Sequence, residues 1–215
     1  MESGRIIVNS MLTGPLSVNT YIIHREGLTE CVVIDPANAK TVGSAIREKG
    51  LFLTHILLTH GHFDHILGVA QLKEEFSAKV VIHENDAKML LDDEKSQANI
   101  VGAKVRPCAA DIVLTGDTSF CAAGIEFKII HTPGHTPGGL CYIIPEINTI
   151  FSGDTLFRLS IGRSDLPGGS EAILCESILY KLFALKGDFR VLPGHMRETT
   201  LDFERKHNPC VRCYD

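Results

Sequence analysis

Residues 57–68 read LLTHGHFDHILG, with three histidines and an aspartate inside six positions at the end of an apolar run. A fold has little use for imidazoles crowded this way unless they hold something. The run Ile56, Leu57, Leu58 reads as a buried strand. The chain then leaves a sheet at its C-terminal end as the histidines begin, which is where α/β folds place ligands. In extended chain, residues two apart point the same way, so His60 and His62 can share one metal. Asp64 and His65 fall where the next helix begins, turned toward a neighbouring point. The spacing implies two adjacent metal positions, each needing further ligands from elsewhere. A fold that satisfies it must gather the ends of several strands.

The rest of the chain supplies the ligands. His135 lies in TPGHTPGG after the strand-like FKII, Asp154 in FSGD after TIF, and His195 in VLPGH after RVL. Each repeats one theme, an apolar strand, a turn and a potential ligand. Five histidines and two carboxylates form a mixed nitrogen and oxygen set, suited to zinc, iron or manganese and not to a thiolate-only metal. A structural zinc site is normally closed by four ligands, often including cysteine. Seven ligands for two metals leave room for bridging solvent, which is the arrangement of a catalytic site. His24, His55, His83, His131 and His207 read as ordinary solvated or hydrogen-bonded histidines.

Composition narrows the function classes. The chain has 215 residues, enough for one substantial core, and its 21 basic against 26 acidic residues give a net charge of −5. No cluster of Lys and Arg stands out, so a nucleic-acid or acidic-membrane partner has no electrostatic support. No apolar run is long enough to span a membrane, and MESGRIIVNS has no apolar signal core. Seven cysteines at 31, 108, 121, 141, 175, 210 and 213 are an odd number scattered through apolar segments. They read as reduced thiols of a cytoplasmic protein. Cys210 and Cys213 have C-x-x-C spacing but no second pair, so they read as an ordinary tail.

The order of elements follows from period and punctuation. RIIVNSML, NTYIIHR and CVVIDP read as strands between turn signals, and a helical pattern over 39–49 ends at Gly50. HILLTH is a short buried strand, followed by a helix over 65–76, the strand AKVVIHE and a helix over 85–94. Residues 111–155 are strand-rich. Ser170 caps a helix to about 185, FRVLPG is the last strand, and a helix-prone tail starts at 196. Strands and a helix, then strands and a helix, fit two packed sheets with helices outside, a single α/β domain over 1–215. The rival is a simple parallel doubly wound sheet.

With His135, Asp154 and His195, the THGHFDH motif resembles that of the metallo-β-lactamase-fold hydrolases, through nearly the whole chain. The resemblance implies a four-layer αββα sandwich with the metals in a cleft at the sheet edge. It implies that His60, His62 and His135 bind one metal, that Asp64, His65 and His195 bind the second, and that Asp154 bridges. Asp35 in VVIDP matches the family's first motif and implies a partner steadying the site. FSGDTLFRLSIGRSDLPGG at 151–169 looks like the glyoxalase II-like (hydroxyacylglutathione hydrolase-like) branch, as do VLPGHMRETT and the late NP. There Arg163 and Asp165 are expected to form a buried pair bracing the metal loop. Twenty residues follow His195, where glyoxalase II has a helical domain with glutathione-binding basic residues. That domain is expected to be missing, which leaves open whether the thiol is glutathione.

The expected activity is hydrolysis of a small-molecule thioester such as S-lactoylglutathione. A hydroxide bridging two divalent ions, zinc first and iron or manganese next, would attack the carbonyl. Asp64 is expected to orient that hydroxide as well as bind metal. A mononuclear-iron persulfide dioxygenase and a lactonase are the alternatives on the same fold. Substrate walls are expected near Leu16–Tyr21 and Phe157–Gly169.

Overall fold

A computed structural model describes residues 4–211. The first sheet contains β1 (Ile6–Thr13), β2 (Val18–Arg25), β3 (Glu30–Ile34), β4 (Phe52–Leu57), β5 (Lys79–His83) and β6 (Ile112–Leu114), in that order. Its first two pairings are antiparallel and its last three parallel. The second sheet is built from β7 (Thr118–Ala122), β8 (Ile125–His131), β9 (Leu140–Ile144), β10 (Thr149–Gly153), β13 (Arg190–Pro193) and β14 (Thr199–Thr200). Its spatial order is β14-β13-β10-β9-β8-β7, and β10 runs parallel to β13. A small ribbon of β11 (Leu156–Phe157) and β12 (Ser160–Ile161) stands between them in sequence. Helices α1 (Ala39–Glu48), α2 (Phe63–Ile66) and α3 (Val69–Phe76) belong to the first half, α4 (Glu171–Ser177) and α5 (Leu201–His207) to the second.

Side chains alternate along a strand, so each central strand feeds two cores. Tyr21, Ile23, Val32, Ile34 and Leu57 point between the sheets and meet Phe127, Tyr142 and Phe151. Their neighbours Ile22, Cys31, Val33 and Ile56 point outward to Val42 and Ile46 of α1 and Leu72 of α3. On the far side Cys141, Ile143, Ile150 and Val191 meet Leu174 of α4 and Leu201 of α5. Three apolar interfaces separate four layers, so the architecture is the αββα sandwich and not a doubly wound sheet. Strands buried on both faces explain the nearly continuous apolar runs of the sequence.

Several elements differ from the sequence reading. The expected helix over 65–76 is two, α2 and α3, because the Gly68 amide donates to Pro36 O at 2.8 Å instead of continuing the ladder. The expected helix over 85–94 is a 3-10 turn at Ala87–Leu91 followed by turns. The helix from Ser170 is α over Glu171–Ser177 and then a π turn at Ile178–Leu182. In the tail, β14 precedes α5. Among the described residues no disulfide forms, and Cys213 lies outside them. No described helix is long and apolar enough to cross a membrane.

Candidate metal centre

A parallel strand pair in each sheet delivers its C-terminal ends to the same edge. In the first sheet Ile34 of β3 pairs with Leu57 of β4, so Asp35 and Thr59 emerge side by side. In the second, Phe151 of β10 pairs with Leu192 of β13, so Asp154 and His195 emerge together. His135 sits in the turn between β8 and β9. Backbone bonds stitch the sheets together here: Leu140 N donates to Thr59 O at 2.7 Å and Asn19 N to Gly194 O at 2.7 Å. Tyr142 Oη donates to Leu58 O at 2.8 Å and Tyr21 Oη to Pro193 O at 2.7 Å.

The ring nitrogens of His60, His62 and His135 form one group, and donor atoms of Asp64, His65 and His195 form another. The far nitrogens of His135 and His60 are spoken for, which fixes what their near ones offer. His135 Nδ1 donates to Arg163 O at 2.6 Å, leaving Nε2 as a lone pair. Thr59 Oγ1 gives its proton to Asp35 Oδ2 at 2.6 Å, so it accepts from His60 Nδ1 at 3.1 Å, and His60 Nε2 is a lone pair too. These two Nε2 atoms face each other at 3.2 Å, and His62 Nδ1 lies 2.9 Å from His135 Nε2. Lone pairs pointed at one another in a buried site suit a shared cation.

The second group is rich in carboxylates. His65 Nδ1 donates to Asp35 Oδ2 at 2.9 Å, and His195 Nε2 lies 3.1 Å from Asp64 Oδ2. His65 Nε2 and Asp154 Oδ1 are 3.5 Å apart, both buried and both without a hydrogen-bond partner. The other oxygen of Asp154 is 3.7 Å from His135 Nε2 and 3.7 Å from His195 Nε2, so this carboxylate faces both groups. Orphaned buried polar atoms are costly, and ligation of a divalent ion would satisfy these two. The residues present fit two divalent ions. Gly194 is required by close approach, since a Cβ there would lie 2.4 Å from Asp154 Oδ1.

Charge divides the site. Burial, with the imidazoles of His65 and His135, holds His60 far below the usual histidine range, and burial with His135 pushes His62 down to about 3. Both present neutral imidazoles at neutral pH. Burial opposes a proton on His65 as well, yet Asp154, Asp64 and Asp35 outweigh it and push His65 up to about 10. Asp64 is resisted by burial but held ionised, below the usual carboxylate range, by His65 and His195.

All seven candidate ligands meet at this edge, with Asp35 behind them. Arg163 departs from expectation: it pairs bidentately with Asp165 at 2.8 and 2.7 Å, but the two side chains are 60% and 69% exposed. The pair is on the surface, and the loop is braced instead by the backbone carbonyl of Arg163 under His135. Sequence reading missed Thr59, Tyr21 and Asn19, whose roles depend on partners far along the chain. A cavity of about 360 Å³ opens over the centre. Leu16, Phe157 and Leu166 line it as expected, together with Ile100 and Val101 from a segment not foreseen as a wall.

Comparison with known proteins agrees with this geometry. The metallo-beta-lactamase superfamily model matches residues 13–195. The chain is 34% identical over 201 residues to the probable metallo-hydrolase YqgX of Bacillus subtilis (strain 168), covering 93% of this chain and 94% of that one. It is 35% identical over 180 residues to hydroxyacylglutathione hydrolase GloC of Haemophilus influenzae, covering 82% and 85%. The crystal structure of the BLEG-1 B3 metallo-beta-lactamase superposes with a TM-score of 0.89 at 34% identity, over 95% of this chain and 99% of that one. TTHA1623, solved in a di-iron-bound form, superposes with a TM-score of 0.82 at 34% identity, over 94% and 99%. With the model matched from the first strand to the last histidine ligand candidate, the chain belongs to the metallo-beta-lactamase superfamily.

Proposed function

We propose that this member of a metallo-hydrolase superfamily is a two-metal thioesterase that acts on a small acyl-thiol such as S-lactoylglutathione. The observation that carries the reading is Asp154, whose carboxylate stands between the two donor groups: Oδ1 faces His65, and Oδ2 lies equally far from His135 and His195. His60, His62 and His135 would hold one divalent ion, Asp64, His65 and His195 the other, with Asp154 shared. Zinc is the first choice, with iron or manganese compatible; the di-iron form of TTHA1623 supports iron. Such ions supply an activated water and polarise a carbonyl.

The chain's own residues do the rest. Asp64, held ionised, accepts a hydrogen bond from the attacking water and so orients it. Leu16, Phe63, Ile100 and Phe157 receive the apolar parts of the substrate and exclude bulk water from the reacting bond. The Arg163 side chain is the one Lys or Arg among the described residues that line the cavity. Support for a thioester comes from the relation to GloC and from the GRSD stretch that follows Asp154. The net negative charge and scattered cysteines support a small-molecule enzyme of the cytosol, without a nucleic-acid or membrane partner. The similarity to BLEG-1 favours a second reading, hydrolysis of a β-lactam amide in the same cavity.

Hydrolysis of S-lactoylglutathione by protein loaded separately with zinc, iron or manganese tests the proposal. Saturable turnover that vanishes in His62→Ala is expected. Absence of turnover in fully metal-loaded protein would overturn it, and parallel assays with a β-lactam, a lactone and a persulfide under oxygen would locate the activity.

A further inference from the structure

Asp86 has no place in the site described above, yet its carboxylate ties together the two loops that carry the three-histidine group. It lies just beyond β5, fully buried. Oδ1 accepts from Gly138 N at 2.7 Å. Oδ2 accepts from Thr136 Oγ1 at 2.7 Å and from Gly61 N at 3.1 Å. All three donors are neutral. A carboxylate buried on such terms is costly to keep, and burial raises its pKa. The fit is also close, since a Cβ on Gly138 would fall 2.6 Å from Oδ1.

What these bonds hold is specific. Gly61 lies between His60 and His62, and Thr136 follows His135, so each of the three histidines is one residue from an Asp86 hydrogen bond. His60 and His62 come from the first sheet, His135 from the second. Their ring nitrogens can converge only if the two loops keep one separation. Among the described residues no hydrogen bond of the Asp86 carboxylate falls within one residue of Asp64, His65 or His195. We propose that Asp86 is a positioning residue for the His60–His62–His135 group, clamping the two loops so that this group, and not its neighbour, is preformed for a divalent ion. The proposal rests on the two-metal reading above.

The test is titration of metal-free full-length protein with zinc against a chromophoric chelator, which reads stoichiometry and both affinities without any substrate. Thr136→Val removes one of the three hydrogen bonds and nearly keeps the shape, so it covers the case in which Asp86→Ala fails to fold. Both variants are expected to weaken one zinc by about 10- to 100-fold, as loss of groups that orient ligands commonly does, and to leave the other unchanged. Asp86→Asn, with one acceptor oxygen kept, should fall between. In a His195→Ala background the remaining zinc should show the same loss; in a His62→Ala background Asp86 substitutions should change nothing. Variants with lowered Tm but both wild-type affinities would overturn the proposal and leave the two-metal reading standing. A wild-type protein that takes up one zinc refutes the two-metal reading, and the variants' affinity for that ion then decides: unchanged overturns the clamp, weakened supports it. A wild-type protein that binds none overturns both.

Discussion

At the scale of single residues, the centre is governed by which nitrogen of each imidazole carries its proton. Asp35 is the widest-reaching of the groups that decide this. It accepts from Thr59 N at 2.9 Å, from Thr59 Oγ1 at 2.6 Å and from His65 Nδ1 at 2.9 Å, and through Thr59 it also reaches His60. Since His60 and His65 belong to different groups, Asp35→Asn should weaken both zinc sites, each by about 10- to 100-fold. The substituted amide has one acceptor oxygen for three donors. Zinc titration checks this, and a loss confined to one site would show that Thr59 does not relay the effect. The ligand candidates were legible in the sequence because each is a metal-binding residue type placed after an apolar run. Thr59, Tyr21 and Asp86 were not, because an ordinary Thr, Tyr or Asp acquires its role only from a partner that the fold brings to it. Asp35 was legible only through family resemblance, and the exposed Arg163–Asp165 pair shows how such resemblance can name a contact while misplacing it.

At the scale of elements, alternation and punctuation located most strands, and the helices were where local reading failed. The α2–α3 break at Gly68 depends on a carbonyl of the 36–38 turn, which no local pattern contains. The segment after β5 has helical composition, but Asp92 accepts from the nearby amides of Glu94 and Lys95, which pulls the chain into turns. Its apolar residues Ile100 and Val101 then face the cavity instead of a helix partner. Helix α5 is a simpler case. Thr200 is extended and its side chain accepts from Phe203 N at 3.2 Å, which makes it the N-cap. Thr200→Ala should cost about 1 kcal/mol. In a domain of this size that lowers Tm by about 2–4 °C. Metal content should stay at the wild-type value, since α5 packs through Leu201 on the outer face of the second sheet. Thermal unfolding with metal analysis of the same sample checks both halves, and a loss of metal would tie α5 to the centre.

At the scale of the whole molecule, the donors divide by sheet. His60, His62, Asp64 and His65 follow β4, whereas His135, Asp154 and His195 follow strands of the second sheet. Ions bound between them would therefore act as clasps at one edge of the sandwich, coupling metal binding to the stability of the two-sheet arrangement. Free metal at a thousandfold excess over its Kd stabilises by about 4 kcal/mol. For each ion that corresponds to about 8–16 °C in Tm for a chain of this length, so stripping the metals with a chelator should lower Tm by at least this much. The increment should also depend on pH with a definite sign. His60 and His62 already present lone pairs at neutral pH, but the three carboxylates hold a proton on His65, pushed up to about 10, which an incoming ion must displace. Proton and metal compete for the same nitrogen, so metal uptake releases a proton and weakens as pH falls. Acid should therefore empty the Asp64–His65–His195 site before the three-histidine site, passing through a form with one ion. Zinc titrations across the neutral range, read beside proton release in weak buffer, would show this order; equal weakening of both sites, with no proton released, would contradict it.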